Sequence, residues 1–403
     1  MAPDGLAQTS ALLARLGRDG GPLGAPWSDR PTAAEPADGP GPVVPSADFE
    51  ALNRPQSLMT LVPIRAGQVD ALRERLKGQV FTTHSPGVHN ARFVVFPDGK
   101  LLFTAVYDVT RTCALQFLHA NAATVDEIWR FCEGYPESGA RDLVALDGFL
   151  RTWDRPVPLM FSAYIDPGEP QVREAVQLRC NFLDFARAVQ RDPAGILVHY
   201  DAFLGDNRRR IHAAAERHEG DLARQDLVSA GNLTTAFTMI SQVKPDLESR
   251  ARLQFTLRFG NLVVDTFRIN PISEMTTVHY ARFAMYDDDK LIFASIYDGD
   301  WLQYVQDFSV RIPTQMNKVW GNCVGWPTKG AADTDALLAY LEGCRVPTDV
   351  FYSAYMDVTS KDILASYALG RALWSFTGVP PVDAPSFRAR YLAFLSANQG
   401  LLP

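Results

Sequence analysis

Residues 89–108 read HNARFVVFPDGKLLFTAVYD, and residues 279–298 read HYARFAMYDDDKLIFASIYD. Ten of the twenty positions are identical without a gap, at an offset of 190. The identities include the His, the Arg, a Lys and the closing Tyr-Asp as well as apolar residues. Strand alternation alone would repeat the apolar positions and not these polar ones, so the chain carries a duplicated unit. Each copy is two β-branched and aromatic runs joined by a turn, Pro97-Asp98-Gly99 in the first and Asp287-Asp288-Asp289 in the second. This is hairpin chemistry. Counting outwards from a regular turn, Phe96 faces Leu101, Arg92 faces Ala105 and His89 faces Asp108. In the second copy Arg282 falls opposite Ser295, and His279 opposite Asp298. Each copy is therefore expected to hold a cross-strand His–Asp pair. Alternation puts Arg92 on one face with Tyr107, and Arg282 with Tyr297; that face reads as the wall of a cavity.

Working outwards, SLMTLVPIRA from Ser57 reads as a strand, and Val69, Leu72 and Leu76 have helical spacing. After the first hairpin a helix is expected over Arg111–Cys132, stopped by Gly134 and Pro136, and then a strand over Val157–Asp166. The order is β-α-β-β-α-β, the split βαβ motif. The same order returns after Leu233, with a longer and greasier first helix carrying Leu253, Phe255, Leu257, Phe259, Leu262, Val263, Val264 and Phe267. Apolar residues on most of a circumference predict a buried helix or a lipid-facing one. Trp129 and Trp320, Cys132 and Cys323, Gly134 and Gly325, Pro136 and Pro327, and the runs Ser162-Ala163-Tyr164 and Ser353-Ala354-Tyr355 correspond at an offset of 191.

The expected organisation is a Pro/Gly/Ala-rich disordered segment over residues 1–55, a first repeat over 56–190, a charged helical linker over 191–231, a second repeat over 232–378 and a C-terminal tail or helix over 379–403. The fold class is α+β, with two tandem ferredoxin-like repeats whose bare sheet faces pack into a pseudo-dimeric barrel enclosing a cavity.

A net charge of −7, without a basic patch carrying interleaved aromatics, argues against a nucleic-acid partner. Five Cys without framework spacing argue against a disulfide scaffold. No run approaches a membrane span, and the start MAPDGLAQTS lacks signal-peptide character, so a cytoplasmic location is expected. Homo-oligomerisation is compatible with this composition. There is no C-x-x-C, Gly-rich phosphate loop, G-x-S-x-G elbow or H-E-x-x-H, and no metal site is assigned.

This element order and duplication resemble the dimeric α+β barrel superfamily over about residues 57–377. That superfamily includes dye-decolorising peroxidases, chlorite dismutases, aldoxime dehydratases, haem-degrading enzymes and cofactor-free antibiotic-type monooxygenases. The resemblance implies a small-molecule enzyme, first of all a haem-dependent oxidoreductase, with its site in the barrel cavity. A cofactor-free monooxygenase or cyclase acting on an apolar substrate, or a non-catalytic ligand-binding barrel, are the alternatives. Ser295-Ile296-Tyr297-Asp298-Gly299 is similar to the GxxDG motif of the peroxidases, with Ser in place of the first Gly, and no His follows His279 as their proximal ligand would.

The candidate catalytic residues are His279, Asp298 and Arg282, and the candidate cofactor-binding residues are His89, Arg92, Tyr297 and Tyr355. An Asp-oriented imidazole can serve as base or haem ligand. The competing reading is a cross-strand hydrogen bond that pins register, favoured by its presence in both copies. The arginines suit a carboxylate or a haem propionate, or pair structurally. The tyrosines are hydrogen-bond donors or plain aromatic core. His119 and His199 are further candidates for an axial ligand.

Overall fold

The structure, a computed structural model, describes residues 55–164, 168–215, 234–267, 275 and 277–402. Expectations for residues 1–54, for the 216–231 end of the linker and for Asp166 lie outside the described residues. The described chain falls into two compact units, one formed by residues 55–170 and 234–356 and the other by residues 171–215 and 357–402.

The first unit is mixed α+β with two antiparallel sheets. Its elements in chain order are β1 (Gln56–Pro63), α1 (Val69–Leu76), β2 (Val88–Val95), β3 (Lys100–Tyr107), α2 (Arg111–Ala120), α3 (Ala122–Trp129), α4 (Leu143–Thr152) and β4 (Leu159–Ser162). α5 (Glu169–Arg191) and α6 (Ile196–Ala215) belong mainly to the other unit. There follow β5 (Thr235–Gln242), α7 (Leu247–Phe267), β6 (Val278–Tyr286), β7 (Lys290–Tyr297), α8 (Trp301–Arg311), α9 (Pro313–Trp320), α10 (Thr334–Cys344), β8 (Arg345–Val346) and β9 (Val350–Ser353). The single helix expected over 111–132 is two, broken at Asn121, whose side chain holds the backbone N–H groups of Thr82 and Thr83 at 3.0 Å each.

Strand order differs from four strands staying within one repeat. The first sheet runs β1-β3-β2-β9 and the second β4-β6-β7-β5-β8. The last strand of each repeat thus pairs in the sheet of the other. The exchange is completed by two bends. Residues 153–155 pair with β1, through Leu61 N–H to Trp153 O at 3.1 Å and Arg155 N–H to Met59 O at 2.7 Å, before the chain enters β4 on β6. β8 pairs with β5 before the chain enters β9 on β2. The two sheets are thus joined by the chain itself at both ends, between residues 155 and 159 and between residues 346 and 350.

The hairpin turns are tighter than a regular count. Phe96 N–H donates to Lys100 O at 2.7 Å, and Tyr286 pairs with Lys290, so each loop has three residues. Gly99 takes φ 77° in the first, and Asp287 and Asp288 take φ 50° and 57° in the second. The register moves by one: Arg92 pairs with Thr104 and not Ala105, and Arg282 with Ala294 and not Ser295. A one-residue slip exchanges faces on the partner strand. Arg92 and Arg282 accordingly face the space between the sheets. Tyr107 and Tyr297 face the helices, among the cores that those helices cover.

The repeated tryptophans explain their own repetition. Trp129 stands edge-on to the paired Phe93 and Phe103, both at 5.3 Å, and Trp320 packs over the paired Phe283 and Phe293 at 5.3 and 5.0 Å. Both indoles are buried. Burying a large aromatic side chain contributes about 3 kcal/mol, so each helix layer is anchored by one residue.

Between the sheets an apolar level buries Met59, Leu61, Val94, Phe96, Leu102, Ala284, Tyr286, Ile292, Ala294 and Val346. The second unit is helical, with α5 and α6 packed with α11 (Ser360–Thr377) and α12 (Ala384–Ala397) around Phe182, Tyr200, Phe203, Leu373 and Tyr391. α6 buries Tyr200, Phe203 and Ile211, so the expected solvated linker helix has an apolar face of its own.

Candidate functional site

Three levels of side chain lie between the two sheets. Beyond the apolar level lies a pair of arginines. Arg92 is 0% exposed and donates to Phe237 O at 2.8 Å, Thr238 Oγ1 at 3.1 Å and Ser295 O at 2.8 Å, all on the opposite sheet. Arg282, also 0% exposed, donates to Asn90 Oδ1 at 2.8 Å and Ser57 Oγ at 3.3 Å. Neither has a carboxylate partner among the described residues. Burial pushes the Arg92 guanidinium down to about 9. Burial, and then the charge of Arg92, hold Arg282 well below its ordinary value. The arginines tie the two sheets together, and the Nε of each is buried without a hydrogen-bond partner among the described residues.

The next level brings together the residues that the sequence repeats. His89 Nε2 lies 2.7 Å from Asp108 Oδ1, and His279 Nε2 lies 2.6 Å from Asp298 Oδ1. The expected His–Asp pairs are present, but a bulge makes them. Register shifts between Val88 and Asn90, and between Val278 and Tyr280, so that each His is the extra residue. The other ring nitrogen of each His meets a tyrosine. His89 Nδ1 is 2.7 Å from Tyr355 Oη and 2.9 Å from Tyr280 Oη, and His279 Nδ1 is 2.9 Å from Tyr164 Oη. With the carboxylate accepting from Nε2–H, Nδ1 is the acceptor for a tyrosine hydroxyl. The Ser-Ala-Tyr runs supply Tyr164 and Tyr355, and β6 supplies Tyr280: Ala354 N–H bonds His89 O at 2.8 Å, and Ala163 N–H bonds His279 O at 2.9 Å.

The strand exchange therefore carries each Tyr to the His of the other repeat. The sequence displays both motifs, repeated at offsets of 190 and 191, without connecting them. Asp108 is fixed further by the Glu169 N–H at 2.7 Å. Gly299, next to Asp298, has φ 85°, where Val109 in the first copy sits at φ 49°. Backbone conformation accounts for that glycine without a distal role for Asp298.

A separate cavity lies on the helix side of the second sheet. It measures about 500 Å³ and is walled by Leu159 and Phe161 of β4, Phe255, Phe259, Gly260 and Val264 of α7, Ala281 and Phe283 of β6, and Met316 and Trp320 of α9. Thr256, Gln315 and Lys318 are its polar side chains. Gln315 and Lys318 of α9 are exposed, as are Phe255 and Phe259 of α7, so the mouth has a polar side and an apolar side. None of the seven sequence-derived candidates lines this cavity. The signal for it was the greasy helix around Phe255–Val264, broken by Gly260. A β-carbon on Gly260 would lie 3.4 Å from both Leu159 methyls, so helix and strand approach closely here.

Haem needs an axial imidazole, thiolate or phenolate beside a cavity. Both ring nitrogens of His89 and of His279 are already met by Asp and Tyr. His119 is exposed on α2, and His199 pairs with Asp192 at 3.3 Å in the helical unit. No His, Cys or Tyr lines the cavity. This cavity wall and these four histidines offer haem no free axial ligand. No cluster of three or more metal-ligating side chains occurs among the described residues either.

No protein-family model and no curated protein matches the chain. Among solved structures it is similar to a protein of Lactobacillus acidophilus NCFM provisionally named a monooxygenase, at 6% identity over 75% of this chain and 97% of that one, with a TM-score of 0.31. It is similar to another provisionally named monooxygenase, from Fusobacterium nucleatum subsp. nucleatum, at 8% identity over 75% and 95%, with a TM-score of 0.30. An anthrone oxidase-like protein matches at 8% identity over 77% and 98%, with a TM-score of 0.24. These scores are too low to carry chemistry from one chain to the other.

Proposed function

We propose that the chain is a small-molecule oxidoreductase that takes an apolar, ring-bearing substrate into the cavity between α7, α9 and the second sheet, and that it works without haem. The observation that carries this reading is the cavity: about 500 Å³, within the usual range for a ligand site, and walled almost wholly by aliphatic and aromatic side chains. Lys318 is the one titratable group in its wall. An ammonium at the mouth of an apolar cavity stabilises a phenolate or enolate on a ligand that is otherwise buried. Such an electron-rich anion is the form of an organic molecule that dioxygen oxidises without a metal. Dioxygen-dependent oxidation is therefore the first activity to test.

The test is displacement of an apolar fluorescent dye by a panel of polycyclic phenols, followed by oxygen-electrode measurements with those that displace it. Stoichiometric dye binding is expected, lost in Val264→Trp, which sets an indole into the cavity. Oxygen uptake is expected to fall in Lys318→Met with dye binding retained. Dye binding unaffected by Val264→Trp would sink the site assignment. A stoichiometric Soret band on haem titration would sink the haem-free reading. Binding without oxygen uptake would leave a ligand carrier.

A further inference from the structure

We infer that the exposed face of α7 docks on an anionic lipid surface, from which the apolar substrate enters the cavity; the substrate part rests on the proposed function. Phe255 is 66% exposed, Phe259 51% and Leu262 58%. Their spacing puts them on one stripe of the helix, extended towards its start by the exposed Ala251. The two phenyl rings stack at 5.4 Å with 9° between their planes. A helix that faced only water would carry polar residues there. Arg252 and Arg258 are exposed and lie roughly 60° to either side of Phe255, so the stripe is flanked by cations on both sides. Glu248, which pairs with Arg252, is the one carboxylate among the exposed described positions of the helix. An apolar stripe between arginines is the pattern of a helix that lies in the headgroup layer, with its rings in the acyl boundary and its guanidinium groups on phosphates.

Two further observations single out a lipid surface. Phe255 and Phe259 are at once the stripe and part of the cavity wall. A ligand leaving a bilayer at this face would reach the cavity along apolar side chains without crossing water. A second copy is the poorer occupant, because a twofold contact sets the same face against itself. It would bring the arginines of both copies together, with Glu248 alone to offset them. Among the described residues no helix is long and apolar enough to cross a membrane, so the contact is with the surface.

The test is co-sedimentation of the full chain with phosphatidylcholine–phosphatidylglycerol vesicles and with pure phosphatidylcholine vesicles. Binding is expected to be stronger to the anionic vesicles. Phe255→Ser/Phe259→Ser should weaken it by at least about tenfold. Arg252→Gln/Arg258→Gln should remove the difference between the two compositions. Failure to sediment with either vesicle overturns the inference. So does a dimer seen by light scattering that Phe255→Ser/Phe259→Ser dissolves, since the face would then join two copies. Val264→Trp separates this inference from the cavity reading: it should abolish dye binding and keep vesicle binding. Vesicle binding without any dye binding would keep the surface and overturn its role in substrate entry.

Discussion

Replacing Arg282 by Met tests how the space between the two sheets is held. The guanidinium is fully buried, has one good hydrogen bond to Asn90 at 2.8 Å and a long one to Ser57 at 3.3 Å, and shares the interior with a second cation, Arg92. Losing the bond to Asn90 and leaving its oxygen unsatisfied costs about 1–3 kcal/mol. Against that, keeping an unpaired cation out of water costs several kcal/mol, and the like charge nearby adds to it. Met has a similar reach, so the substitution leaves little void. Relief of the buried charge outweighs the lost hydrogen bond, and Arg282→Met should be neutral or up to about 2 kcal/mol more stable. Arg92→Met is the contrast. It gives up three bonds, two of them to main-chain carbonyls of β5 and β7, and should lose about 2–4 kcal/mol. The double variant should depart from the sum of the two, because the repulsion is removed only once. Urea unfolding reads the total, and hydrogen exchange on β6 and β7 reads the sheet directly. A loss above about 3 kcal/mol for Arg282→Met would refute the reasoning, since it would mean that the cation is compensated.

Four other outcomes follow from the geometry. Tyr164→Phe should cost more stability than Tyr355→Phe, by about 1 kcal/mol, because His89 Nδ1 keeps Tyr280 when Tyr355 is lost; equal losses in thermal unfolding would contradict this. His279→Ala should lower stability and leave dye binding intact, since His279 is outside the cavity wall; lost dye binding in a folded variant would return it to the site. Burial pushes the Cys132 and Cys323 thiols up to about 12, so both are thiols at neutral pH, and iodoacetamide should spare them in the native protein. Rapid alkylation of either, read by mass spectrometry, would contradict their packing. The hydrogen bond from Lys100 holds the Asp287 carboxyl below its ordinary value. Its folded pKa is depressed, so the stabilisation is present above about pH 4 and is lost as pH falls through the folded value. Lys100→Met should remove that share of the acid dependence, and an unchanged acid titration would argue against the contact.

Some features were legible because they are written in local residue types. The duplication and the hairpins follow from alternation and repetition; each His meets its Asp as counted, but because a three-residue turn and a bulge offset one another and not through the regular register. The register was not legible, because it turns on one residue in each loop. Three-residue turns set Arg92 and Arg282 into the interior and send Tyr107 and Tyr297 to the helices. Nor could the partner of each His be read from sequence. Tyr164 and Tyr355 reach His279 and His89 only because the last strand of each repeat crosses into the other sheet, a pairing between residues 115 and 266 positions apart.

The cavity depends most on tertiary structure. The sequence marks α7 as greasy, and helical periodicity alone leaves open whether such a helix is buried or lipid-facing. Between the sheets the side chains of both repeats meet in one buried cluster. Behind the second sheet Ala281 and Gly260 are too small to fill what Phe255, Phe283 and Trp320 enclose. Sequence thus determined which residues recur and what each can do. Only the fold decided which of them share a space, because volume and strand exchange are properties of the whole assembly of elements.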